Sequence, residues 1–140
     1  RWKCKKLLRF LRSELSSGEV VVTGHVERRD LGEVFKMAEC YVQVSLYEGF
    51  GFGPLEAFCC GLGVVSSRVG ILKEISDEAF VSVKAEDPVN IAEGIERVLS
   101  DGSFRASLCE KAIEEVSRFK WENCAKCMLE VYMGLRGRDG

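Results

Sequence analysis

Two glutamates, Glu48 and Glu56, bracket most of the segment "YEGFGFGPLEAF" at 47–58, which also holds Gly49, Gly51, Gly53 and Pro54. An ionised carboxylate accepts two hydrogen bonds side by side, which suits a vicinal diol such as ribose or a hexose ring. Glycines let the backbone approach a ligand closely and take positive φ. Proline suits the first helical position, where its missing N–H costs nothing. The segment therefore predicts a strand-to-helix loop with Pro54 opening the helix and residues 51–53 aiming free N–H groups outward. Such a helix N-terminus favours anions or sugar hydroxyls. Glu48 at the strand end and Glu56 in the first helical turn are expected to flank one small polar cavity. The competing reading is a tight turn whose acids only complement the helix dipole. No Gly-Lys-Ser/Thr follows, so the loop is not a Walker motif, and its GxGxG spacing fails the GxGxxG dinucleotide fingerprint.

The elements around the loop set its place in a fold. "EVVVTG" (19–24), "CYVQVSL" (40–46), "GVVSS" (63–67) and "AFVSV" (79–83) read as strands. Between them, Asp30 is placed to cap a helix reaching about Ala38, with Leu31, Val34 and Phe35 facing in. A helix from about Pro54 to Cys60 is stopped by Gly61, and residues 71–75 suggest one helical turn. Asp87-Pro88 opens a helix carrying Ile91, Ile95, Val98 and Leu99. Further helices are expected around Phe104–Val116 and from Trp121 to about Met133, before a frayed tail "GLRGRDG". Strands alternating with helices predict an α/β fold with a parallel, Rossmann-like sheet of about four strands and C-terminal helices. The 140 residues are read as one domain. In an open sheet of this kind, ligands bind beyond the carboxyl ends of the strands, where Tyr47–Gly53 would sit.

Composition narrows the function classes. The formal net charge of −2 gives no electrostatic case for nucleic acid. No apolar run is long enough to span a bilayer, and the N-terminus has no secretion-signal pattern. Residues 2–16 predict an amphipathic helix with Cys4, Leu7, Leu8, Leu11 and Leu15 on one stripe and Arg1, Lys5, Lys6, Arg9 and Arg12 opposite. That helix, stopped at Ser17-Gly18, is read as a solvated surface element. Its basic face also suits peripheral contact with an anionic membrane surface. The 7 cysteines are odd in number and irregularly spaced, unlike a disulfide framework, which points to a reducing cytoplasm. Cys124 and Cys127 form a CxxC on a helical pattern with Trp121, Ala125, Met128, Leu129 and Tyr132, and packing is preferred over zinc or redox chemistry.

The stretch "SLYEGFGFGPLEAFCCGLGVVSSRVGILKEI" resembles the donor-site signature of retaining glycosyltransferases of the GT-B fold, family GT4. That family carries Glu, seven residues, then Glu (the EX7E motif), as Glu48 and Glu56 do. "VVVTGHV", "DPVNIAEGIERVLSD" and "FKWENCAKCMLEVY" extend the resemblance over the chain from about residue 19. It implies that Glu56 holds the ribose hydroxyls of a nucleotide-diphosphate sugar. It gives Glu48 the catalytic position, contacting the donor sugar ring and not required as a nucleophile. Backbone groups of Gly49, Phe50, Gly51, Phe52 and Gly53 would bind sugar hydroxyls or the diphosphate. Gly24, His25 and Val26 would line the base pocket, His25 as a wall rather than an acid–base. Transfer would retain configuration at the front face, the leaving phosphate helping to deprotonate the acceptor, with no metal or other cofactor. Three positions depart from the pattern: Gly53 and Gly63 replace prolines, and Ile71 replaces a glycine, with crowding of the phosphate side as the expected effect. Glu74 keeps its place.

The resembled enzymes have an N-terminal acceptor domain, and their donor domain opens with two strands carrying an arginine and a lysine for the diphosphate. Neither is found here, so the chain is read as a donor-binding piece, truncated or separately encoded. The alternative is a non-catalytic nucleotide-sugar-binding or assembly module that pairs with a second polypeptide; a flavodoxin-like signalling domain lacks an acidic phosphoacceptor pocket. In the strand order 3-2-1-4-5-6, the segments 40–46, 63–67 and 79–83 would be neighbours, and 19–24 would be separated from them by the missing strands. An exposed edge there invites a partner chain or a homo-oligomer.

Overall fold

The computed structural model describes residues 7, 9, 10, 13 and 17–136. The chain forms two compact units, Arg1–Leu31 and Gly32–Gly140.

In the first unit Leu7, Arg9, Phe10, Ser13 and Ser17 are helical, and Gly18 leaves the helix with φ 78°. The other positions of the expected amphipathic helix, Cys4, Leu8, Leu11 and Leu15 among them, lie outside the described residues. The segment 19–24 is not the strand expected. Residues 20–27 take no regular structure, and Val21 and Val22 are exposed. A β-branched run becomes a strand when neighbours pair its backbone and cover its side chains, and among the described residues no strand pairs with this one. Helix α1 (Arg28–Lys36) begins ahead of Asp30, which therefore sits in the first turn instead of capping it. There its charge still complements the helix dipole.

The second unit holds a parallel sheet of β1 (Cys40–Gln43), β2 (Gly63–Ser66) and β3 (Val81–Ser82), in that order. The three strands are neighbours as expected, though shorter than the apolar runs that announced them. Every residue of β2 is buried, because helices cover both faces of the sheet. Successive side chains on a strand point oppositely. Val64 accordingly packs with Leu55, Phe58 and Leu72, and Val65 packs with Val83, Val98 and Leu108. Phe58 is fully buried, which stabilises the fold by about 1.5–3 kcal/mol.

Helix α2 (Phe52–Cys59) links β1 to β2 and starts two residues earlier than expected. Its C-terminus closes in a Schellman motif: Leu62 N–H donates to Ala57 O at 3.1 Å and Gly61 N–H to Phe58 O at 3.0 Å, with Gly61 at φ 72°. A short 3-10 helix, Gly70–Lys73, supplies the single turn expected near 71–75. Asp87 caps α3 (Pro88–Ser100) by accepting from Asn90 N–H at 3.1 Å. Asp101 caps α4 (Gly102–Val116) by accepting from Phe104 N–H at 2.9 Å. Gly63 leaves room for α3 and α4: a side-chain carbon on it would stand 2.6 Å from Val98 Cγ1 and 3.3 Å from Arg105 Cγ.

Helix α5 (Trp121–Arg136) runs past the expected end near Met133, and only residues 137–140 of the tail lie outside the described residues. The packing expected of its apolar positions is not found: described side chains from Trp121 to Leu135 are exposed, Trp121 at 80%. Cys124 and Cys127 are exposed with them, so packing does not explain the CxxC. Helical periodicity marked the face, but periodicity does not say whether this chain covers it.

Candidate functional site

The glycine loop leaves the C-terminal end of β1 and is pinned to the C-terminal end of β2. Ser66 Oγ donates to Gln43 O at 2.6 Å, and Ser67 Oγ donates to Ser45 O at 2.6 Å. Two buried serines ending an apolar strand thus satisfy the carbonyls of a chain turning away from its sheet. On its far side the loop meets the 3-10 helix. Ile71 N–H donates to Phe50 O at 2.7 Å. A side-chain carbon on Gly70, at φ 55°, would strike Phe50 O and lie 3.1 Å from Glu48 Cβ.

Between these segments lies a cavity of about 360 Å³ lined by Glu48, Gly49, Phe50, Gly70, Lys73 and Glu74, among others. It opens beyond the carboxyl ends of parallel strands, where ligands of this sheet architecture bind. The expected pair of carboxylates is only half present: Glu48 lines the cavity, Glu56 does not, and Glu74 does. Helix α2 begins at Phe52, so Glu56 falls in its second turn and Pro54 at its third position rather than its first. Pro54 still costs no hydrogen bond there, because the first four N–H groups of a helix have no partner within it.

Glu48 is half-buried and held on one oxygen. Gln43 Nε2 donates to its Oε1 at 2.8 Å and Ser45 Oγ donates to the same atom at 2.7 Å. Gln43 Oε1 in turn accepts from the Tyr41 hydroxyl. Burial, then the charges of Glu56 and Glu48, pushes the Tyr41 phenol above its ordinary range, so it remains a donor. Both motif glutamates therefore act electrostatically on one strand tyrosine.

The glycines divide by role. Gly51 occupies the N-cap of α2 at φ 91° with no side-chain cap, leaving the helix N-terminus open. Gly53 lies against the Tyr41 hydroxyl, and a side-chain carbon there would stand 2.8 Å from Gln43 Oε1. Proline could not stand there without moving both. Phe50 and Phe52 stack at 4.5 Å between ring centroids, tilted by 40° and partly exposed. Ile71 is 5% exposed with its side chain packed in the core. Gly24, His25 and Val26 belong to the first unit: Gly24 has φ 69°, His25 is exposed with Nε2 3.8 Å from Glu27 Oε1, and Val26 is half-buried.

The sequence reading missed Tyr41, Gln43, Ser45, Ser66 and Ser67. The polar Gln43 within a strand run and the Ser66-Ser67 pair closing a buried one were the available signals. A larger cavity of about 780 Å³ opens among β3, α3 and α4, lined by Asp77, Glu78, Arg97 and Lys111 among others. It shares no residue with the glycine loop, and Lys111 is paired with Glu114 at 2.7 Å.

An α/β unit with a parallel sheet, a glycine loop at its strand ends and a clamped carboxylate define a Rossmann-like domain of the GT-B C-terminal type. The chain belongs to the glycosyl transferases group 1 family, whose model matches residues 4–115. It is 30% identical over 131 residues to the O-antigen chain mannosyltransferase B of Escherichia coli, covering 94% of this chain and 34% of that protein. It is 38% identical over 126 residues to an uncharacterized glycosyltransferase of Methanocaldococcus jannaschii, covering 86% of this chain and 32% of that one. Sucrose-phosphate synthase from Thermosynechococcus elongatus superposes with a TM-score of 0.78 at 28% identity, over 96% of this chain and 34% of that one. The chain thus spans about a third of the length of these relatives. Among the described residues no helix is long and apolar enough to cross a membrane.

Proposed function

We propose that this chain supplies the donor-binding part of a retaining glycosyltransferase that moves a hexosyl group from a nucleotide-diphosphate sugar to an acceptor. One observation carries the reading. Glu48 lines a cavity beyond the strand ends and is clamped through Oε1, and both side-chain hydrogen bonds it receives from described residues fall on that oxygen rather than on Oε2. A fixed carboxylate oxygen of this kind selects a hydroxyl by position, because a charge-assisted hydrogen bond is short and directional.

In this account Oε2 of Glu48 takes a hydroxyl of the donor sugar, and the open N-terminus of α2 faces the diphosphate. Glu56, outside the cavity that Glu48 lines, holds the ribose hydroxyls. Charge that builds on the leaving diphosphate is met by backbone N–H groups in place before reaction, which is where such stabilisation is most effective. As the bond from the sugar to the diphosphate breaks and the bond to the acceptor oxygen forms, an oxygen of the leaving phosphate helps to take the acceptor proton on the same face, so configuration is retained and no metal is required. Relatives named as mannosyltransferases make a nucleotide-linked mannose the first donor to try. The acceptor site belongs to further polypeptide, on the same chain or a second one. The edge position of β1 among the described residues and the exposed apolar face of α5 support that requirement.

Calorimetry of the protein, with its acceptor-side portion present, against UDP, GDP and ADP and their sugars tests the reading. Binding of a nucleotide sugar in preference to the free sugar is expected; no binding to a folded sample overturns it.

A further inference from the structure

We propose that Tyr41 and Gln43, two β1 residues, are positioning residues for Glu48: they fix which of its oxygens meets the ligand.

A primary amide has a donor end and an acceptor end, and the two are interchangeable by a flip unless the surroundings choose. Gln43 lies between the Tyr41 hydroxyl and Glu48 Oε1. The carboxylate only accepts, so the amide must turn its Nε2 toward Glu48. The amide oxygen then faces Tyr41, whose hydroxyl must donate. The opposite flip would set the amide oxygen against the carboxylate oxygen, and the contact would become repulsive. Glu48 therefore sets the flip, Tyr41 anchors the amide oxygen by donating to it, and Gln43 with Ser45 saturates Oε1 at 2.8 and 2.7 Å. Oε2 is left with an orientation set from within the sheet.

Two further observations place this relay beyond ordinary packing. Gly53 provides the space that the Tyr41 hydroxyl and Gln43 Oε1 occupy, so the glycine and the relay require each other. The Tyr41 ring packs edge-on against Phe35 at 5.5 Å between centroids. Phenylalanine at 41 would keep that contact and lose only the hydroxyl, which separates fold from relay. The inference deepens the proposed donor site and rests on it for the identity of the ligand.

The test uses the isotopically labelled chain and NMR, which reads millimolar affinities. Two measurements are made on wild type, Tyr41→Phe, Glu48→Ala and the double variant. The first is the side-chain amide signal of Gln43 without ligand. It is expected to show one proton displaced by the carboxylate, with the displacement lost in Glu48→Ala and reduced in Tyr41→Phe, where the amide oxygen loses its anchor. The second is affinity for GDP-mannose and UDP-glucose beside GDP and UDP. Tyr41→Phe is expected to weaken the nucleotide sugars about 3- to 10-fold, the scale of one ordinary hydrogen bond. It should leave the nucleoside diphosphates unchanged and have no effect in the Glu48→Ala background. Equal losses for both ligand classes, or a loss that persists without Glu48, overturns the positioning role. An amide signal indifferent to Tyr41→Phe overturns it as well. Failure of the wild-type chain to bind any of the four ligands overturns the donor-site reading instead, and the positioning role with it.

Discussion

Gly53 carries no side chain where the Tyr41 hydroxyl comes to rest, so helix α2 can start directly over the polar end of β1. The glycine is not among the positive-φ residues of the chain, which makes its role one of space rather than of backbone conformation. Gly53→Ala is therefore expected to cost about 1–3 kcal/mol through overpacking. Tyr41→Phe should return part of that loss, because it removes the nearest atom. Denaturant unfolding of the two single variants and the double variant measures it. Additive losses with no recovery would contradict the steric pairing.

The two motif glutamates are expected to fail differently when removed. Glu56→Ala should weaken nucleoside diphosphate binding about 10- to 150-fold, the loss of a hydrogen bond to a charged group worth about 1.5–3 kcal/mol. Glu48→Ala should mainly lower sugar transfer, leaving nucleoside diphosphate affinity close to that of the parent. Calorimetry and turnover in the assembled enzyme separate the two, and equal effects on nucleotide affinity would refute the division.

Acid should loosen the start of α4. Backbone donation from Phe104, with the Ser103 hydroxyl next, holds the Asp101 carboxyl below its ordinary value of 3.8. A carboxyl lowered on folding stabilises the fold above its unfolded value, and that contribution disappears as pH falls through the folded value. The urea midpoint should therefore fall between about pH 5 and pH 2 more steeply for the parent than for Asp101→Asn, which keeps a capping oxygen but does not titrate. Parallel curves would show that Asp101 does not contribute.

Alone, the chain is expected to transfer no sugar and to associate. Among the described residues β1 is an edge strand, and α5 exposes Trp121, Leu129, Tyr132 and Met133. Edge strands and large apolar faces favour pairing with another chain. Light scattering with a donor-turnover assay checks this; a monomer that transfers sugar unaided would contradict both halves.

The parallel order of 40–46, 63–67 and 79–83, the aspartate caps and the Gly61 stop were legible because each rests on local chemistry. Residues 19–24 were misread because strand propensity counts only when a partner strand is present, and α5 because an apolar stripe does not name its cover. At the candidate site, the motif made legible a glycine loop between β1 and α2 with Glu48 at the strand end. It misplaced Glu56 by assuming that Pro54 begins the helix, when Gly51 at φ 91° ends the loop two residues sooner than that. Tyr41, Gln43 and Ser45 escaped because their roles come from one another, through side chains that meet only after the chain has turned.

The central claim is that the Glu48 loop and the 3-10 turn form a donor site. Titrating the labelled chain with GDP-mannose and UDP-glucose, and following backbone amide signals, tests it most directly. The account predicts shifts concentrated at residues 45–56 and 66–74, attenuated for the sugar in Glu48→Ala. Shifts confined to the cavity among β3, α3 and α4, or none at all, would contradict it.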